Sequence, residues 1–244
     1  MSKEKKIYFS LLISLLFVLM VCIGVGTSLF KETQQAHAAG SSRYVWVGGV
    51  EITADNEANI TGTGISGSVS YDNTTKTLYL TNAKITETFY YYAVAENAAI
   101  LSTNNYSGKM TIALSGTNTI DLSAKTGMTK LAGITRHYGD VVISGNSTAD
   151  SLNIIMPECA GNNYAIDMEA NGLTVSNCTL NASGGNSSNG GRCAGIYISM
   201  ASYYTLSIQN AVVSATGGSS TNTGNHAITQ ATVSSSTVTA YSDG

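Results

Sequence analysis

The chain has 244 residues, of which 43% are hydrophobic and only 11% charged, with a formal net charge of −3. No cluster of Lys and Arg offers a phosphate-binding surface, which argues against nucleic acid as a partner. Ile, Val, Leu and Tyr recur throughout, so it is not a disordered polar tail, and a single proline, Pro157, leaves few positions barred from a hydrogen-bonded ladder.

Residues 1–6 carry Lys3, Lys5 and Lys6, an apolar run follows over residues 7–26, and a polar stretch ends in Ala36-His37-Ala38. This layout predicts a secretory signal over residues 1–38, cut after Ala38. An uncleaved membrane anchor is the competing reading, because the run is about long enough to span a bilayer. Ser10 and Ser14 dilute the run and favour cleavage, after which no membrane insertion is expected. Cys22 follows the bulky Val21 and does not fit a lipoprotein signal. Cleavage would leave 206 residues, with 8 Lys and Arg against 13 Asp and Glu, enough for one domain with a real core.

Residues 39–86 read as an N-terminal β cap. Arg43-Tyr44-Val45-Trp46-Val47 and Val50-Glu51-Ile52 alternate around a Gly48-Gly49 turn, and Gly67-Ser68-Val69-Ser70-Tyr71 and Thr77-Leu78-Tyr79-Leu80 flank a polar turn as a hairpin. Trp46 is expected to plug the end of the repeat that follows, with a ligand-stacking platform as the alternative.

Residues 87–244 are periodic. A small residue followed by Ile recurs as Ala99-Ile100, Gly133-Ile134, Ala165-Ile166, Gly195-Ile196 and Ala227-Ile228, at steps of 34, 32, 30 and 32. Two further apolar bursts follow each, among them Met110-Thr111-Ile112, Val141-Val142-Ile143, Leu173-Thr174-Val175 and Leu206-Ser207-Ile208, and then bursts introduced by Asn82, Asn118, Asn177 and Asn210. Three short bursts per unit predict an all-β parallel β-helix with three strands per turn, its Ile residues stacked inward. The small residue before each Ile is expected at a crowded bend, and the four Asn in one corner ladder where the left-handed conformation is needed. Residues 146–154 break the register, with Asn146 and Asn153 as rival ladder members, so an insertion is expected there. Residues 238–244 read as the middle of a unit, so the sequence is expected to be a fragment or to continue into further domains.

The Tyr44-Val45-Trp46-Val47-Gly48-Gly49-Val50-Glu51-Ile52 opening, the Val69-Ser70-Tyr71-Asp72 and Thr77-Leu78-Tyr79-Leu80-Thr81-Asn82-Ala83 hairpin and the Ala/Gly-Ile and Leu-Thr-Val units resemble secreted right-handed parallel β-helix proteins of Gram-positive anaerobic bacteria, described as carbohydrate-binding domain proteins. The resemblance covers most of residues 43–244 and implies a cell-surface β-helix with a plant or mucosal polysaccharide as ligand. Its motifs are structural, not catalytic. The clustered Asp of the calcium sites in some relatives are absent here.

Chemistry is sparse. Asp121, Asp140, Asp150, Glu158, Asp167 and Glu169 are scattered, whereas glycoside hydrolysis needs two converging carboxyls. Arg136, His137 and Asp140 form the single polar constellation with a titratable His, a weak catalytic candidate beside the reading as a solvated loop. No spacing suits a metal and no cofactor is expected. The better candidates for ligand binding are Tyr90, Tyr91, Tyr92, Tyr203 and Tyr204, because strand alternation turns at least one ring of each group outward. Of the three cysteines beyond the signal, Cys159 and Cys193 are expected to bridge adjacent turns and Cys178 to be a buried thiol, with pairing of Cys178 to either neighbour as the alternative. The expected function is secreted, cell-surface polysaccharide or host-glycan binding without cleavage. A structural stalk or adhesin segment is the alternative, and a pectin-type lyase or hydrolase ranks third.

Overall fold

The computed structural model describes residues 40–103, 108–168, 171–198, 205–221, 226–228 and 231–242; the expected signal segment, Glu169, Tyr203 and Tyr204 lie outside them. The described residues belong to one compact unit, Ala38–Gly244, and are strands and connections without a helix. No helix among them is long and apolar enough to cross a membrane.

Five strands open the unit: β1 (Ser42–Val47), β2 (Val50–Thr53), β3 (Ile65–Asp72), β4 (Thr77–Ile85) and β5 (Phe89–Tyr91). β1 and β2 pair antiparallel around Gly48 and Gly49, whose φ of +55° and +82° give the two left-handed positions that a tight hairpin turn needs. β3 and β4 form the expected antiparallel hairpin.

Five rungs of three strands follow. They are β6 (Glu96–Ser102), β7 (Met110–Ser115) and β8 (Thr117–Asp121); β9 (Leu131–Arg136), β10 (Val141–Ser144) and β11 (Ser151–Ile155); β12 (Asn163–Met168), β13 (Leu173–Ser176) and β14 (Thr179–Ser183); β15 (Cys193–Ile198), β16 (Leu206–Gln209) and β17 (Val212–Gly217); β18 (His226–Ile228), β19 (Ala231–Ser234) and β20 (Thr237–Ser242). Each strand pairs in parallel with its counterpart one rung away, so the rungs stack into three faces: β6-β9-β12-β15-β18, β7-β10-β13-β16-β19 and β8-β11-β14-β17-β20. This is a parallel β-solenoid with three strands per turn.

Inward ladders fill it. Ile100, Ile134, Ile166, Ile196 and Ile228 are in direct register on the first face, as the step predicted. The first four are buried and Ile228 is partly buried against the same core. The second face adds Ile112, Ile143, Val175 and Ile208, and the third adds Ile154, Ala182 and Ala215. The crowded bend is present: a Cβ on Gly133 would stand 2.5 Å from the Ala165 carbonyl oxygen and 2.6 Å from Ile154.

β4 joins cap to coil. Its first half pairs in parallel with β7 and its second with β8, so it runs along two faces in one strand. β1 and β5 pair antiparallel with β6, and β3 covers β4. The strand edge that a solenoid otherwise exposes at this end is thereby closed.

Several expectations need correction. Trp46 does not plug the interior: Val45 and Val47 point into the core, and alternation sends Trp46 to the outer side of the first face, stacked on Phe89 at 4.7 Å. The corner ladder holds Asn82, Asn177 and Asn210, each with φ near +50°, joined by Ser235 rather than Asn118. Asn118 is instead an inward strand residue in register with Leu152. Asn153 is likewise a strand residue, and Asn146 lies in the inserted connection over residues 145–150, which the Asp150 carboxylate ties down through the Gly116 and Asn146 amides. The Cys159–Cys193 bridge is not formed; Cys159, Cys178 and Cys193 are free and buried. In the backbone register Cys193 stands beside Asn163 and Cys159 bridges to Ser187, so the two are not paired across adjacent rungs.

Candidate functional site

The richest chemistry lies on the outer side of the first face. Around the bend two successive residues, Ala99 and Ile100, turn inward, and their neighbours Ala98 and Leu101 turn outward. Register then builds outer columns. Leu101, Thr135, Asp167 and Tyr197 form one, and Ala98, Ala132, Tyr164 and Ala194 another. Glu96, the first residue of β6, and Lys130, Asn162 and Arg192, just before β9, β12 and β15, stand in a third column. β5 lies against the start of this surface, with Phe89 beside Ala98 and Tyr91 beside Glu96. Trp46, Phe89 and Tyr91 close over Ala98, Leu101 and Ala132 as a small apolar cluster.

Beyond that cluster the surface is charged. The Glu96 carboxylate lies 3.7 Å from Lys130 Nζ, and the Asp167 carboxylate 3.9 Å from the same atom. His137 Nε2 is 3.8 Å from Glu96, and its ring packs 5.3 Å from Tyr91. The two carboxylates are only 1% and 3% exposed. Charges this buried are stable only with opposite charge and hydrogen bonding around them. Lys130 supplies one positive charge between two negative ones, and His137 supplies the second when protonated. Farther along, Tyr164 and Tyr197 stack at 5.0 Å, and Arg192 lies over the Tyr197 ring and donates to its hydroxyl at 2.7 Å.

The sequence candidates separate. Arg136 is buried and donates to the Asp140 and Gly108 carbonyl oxygens, while the Asp140 carboxylate accepts from the Gly172 amide. Both serve the corner between the first and second faces; of the three only His137 reaches the charged surface. Tyr91 belongs to the apolar cluster beside His137. Tyr90 and Tyr92 are the exposed rings, 39% and 85%, packed edge to face at 4.7 Å. Glu96 and Lys130 were not singled out from sequence, although the repeat step aligns Asn97 with Leu131 and hence these two residues. Among the described residues no group of three or more His, Cys, Asp or Glu is placed to hold a metal ion.

Comparison with protein-family models, with curated proteins and with solved structures finds no match to this chain.

Proposed function

We propose that this solenoid is a secreted, cell-surface protein that binds polysaccharide or host glycan without cleaving it. The observation carrying this reading is the pair Tyr90 and Tyr92, which expose their rings at the rim of the charged outer face. Aromatic faces stack on the C–H faces of sugar rings while neighbouring polar groups bond the hydroxyls, a common composition of ligand sites. The resemblance to secreted β-helix proteins of Gram-positive anaerobes supports the same reading. Binding without turnover is favoured because Glu96 and Asp167 are buried and held by one lysine, whereas glycoside hydrolysis needs two carboxyls flanking the bond to be cut.

The alternative, a stalk or adhesin segment without glycan specificity, draws on the regular rung stack and the closed N-terminal end. A glycan array separates the two. The folded protein is expected to bind a restricted set of glycans, and Tyr92→Ala to weaken that binding about tenfold, the effect of one lost ring contact of roughly 1.4 kcal/mol. A blank array with folded protein would favour the stalk.

A further inference from the structure

We propose that the third face carries a groove for an uncharged polysaccharide chain running along the solenoid axis, a site separate from the tyrosine rim. It rests on the carbohydrate reading above but uses none of the same residues. A depression of about 240 Å³ crosses β11, β14 and β17, lined mainly by Asn153, Ile155, Asn181, Ser183, Ser214 and Thr216. Register sets Asn153 beside Asn181 beside Ser214, and Ile155 beside Ser183 beside Thr216. Rungs about 4.8 Å apart make the groove roughly 10 Å long, with polar groups repeating at each step. A periodic surface of this kind suits a polymer that is itself periodic.

Its chemistry selects the class of polymer. No lining residue is charged. The charges that begin the two rows, Lys84 and Asp121, are paired with each other at 2.9 Å. A polyanion therefore meets no available cation, and a polycation no available anion. What the groove does offer is hydroxyls and amides. Asn181 Nδ2 donates to Asn153 Oδ1 at 2.7 Å, and Asn153 Nδ2 donates to the Asn118 carbonyl, which fixes both amide orientations and leaves Asn181 Oδ1 as an outward acceptor. The hydroxyls of Ser183, Ser214 and Thr216 have no protein side-chain partner among the described residues. Each can donate and accept, as pairing with sugar hydroxyls requires. Ile155, 43% exposed, provides an aliphatic edge for the C–H face of a ring.

Affinity gel electrophoresis of the full chain tests this, with hydroxyethylcellulose as the neutral probe and polygalacturonate as the anionic one. Two variants address the groove, Ser214→Trp to fill it and Asn181→Asp to add a charge with little change of shape, and melting curves establish that both fold. Retardation by the neutral polymer that falls about tenfold or more in both variants supports the proposal. Retardation that persists in both but is lost in Tyr92→Ala overturns it and leaves the tyrosine reading standing. Retardation by polygalacturonate alone also overturns it. If neither polymer retards the protein and the glycan array is blank, the carbohydrate reading and the groove fall together.

Discussion

Asn118 sits where the rungs above it carry Leu152, Leu180 and Val213, yet it is fully buried. Its Oδ1 accepts from the Ala83 amide at 2.9 Å, and its Nδ2 faces the Ser115, Gly116 and Ser151 carbonyls. It stitches β4 to the first rung where that long strand changes face. Asn118→Leu, which would make the ladder uniform, is expected to destabilise by about 1–3 kcal/mol, because the Ala83 amide is left buried without an acceptor. Urea unfolding measures this, and an unchanged midpoint would contradict it. The cysteines act through burial: desolvation pushes the Cys178 and Cys193 thiols up to about 11 from an ordinary 9.0. A folded-state value above the unfolded one gives stability that is complete below about pH 9 and lost as pH rises toward 11. Cys178→Ala, which matches the Ala211 stacked on it, should flatten that alkaline loss when midpoints at pH 8 and above 10 are compared. Alkylation in denaturant without reductant should modify Cys159, Cys178 and Cys193 alike, and a linked pair would refute the free-thiol assignment.

At the scale of strands, the isoleucine ladder was legible because one geometric rule, a nearly constant chain length per turn, acts on every unit. Ile166 is fully buried between Ile134 and Ile196. Ile166→Ala should cost about 2–5 kcal/mol, since rungs clamped on both sides by hydrogen-bonded neighbours collapse poorly into a cavity. A chemical denaturation curve checks it. The corner ladder was legible for Asn82, Asn177 and Asn210, where a left-handed residue is required. It misled at Asn118 because asparagine also serves as a buried hydrogen-bonding residue, and sequence does not distinguish the two. Glu96, Lys130 and Asp167 meet from three rungs. A scan for acidic pairs along one strand cannot find them, although columns read across the repeat bring Glu96 and Lys130 together. The cysteine pairing failed for a related reason: Cys159 lies seven residues before its ladder isoleucine and Cys193 three before its own, and the rungs align Cys193 with Asn163 and Cys159 with Ser187.

For the molecule as a whole, each rung touches chiefly its neighbours, and stability accumulates along the stack from a closed N-terminal end. The connection over residues 145–150 shows what this architecture permits. The equivalent corners are two residues long in the next two rungs, yet β10 and β13, and β11 and β14, pair without slippage on either side of the longer one. Asp150 closes its base by holding Gly116 and Asn146. Lengthening such a loop costs little closure entropy, about 0.6 kcal/mol for each doubling. The corner is thus a natural graft point: foreign segments spliced between Ser147 and Ala149 would be displayed at the edge of the rod while its strands kept their register, and the same tolerance gives evolution a place to try new surface loops without redesigning the core.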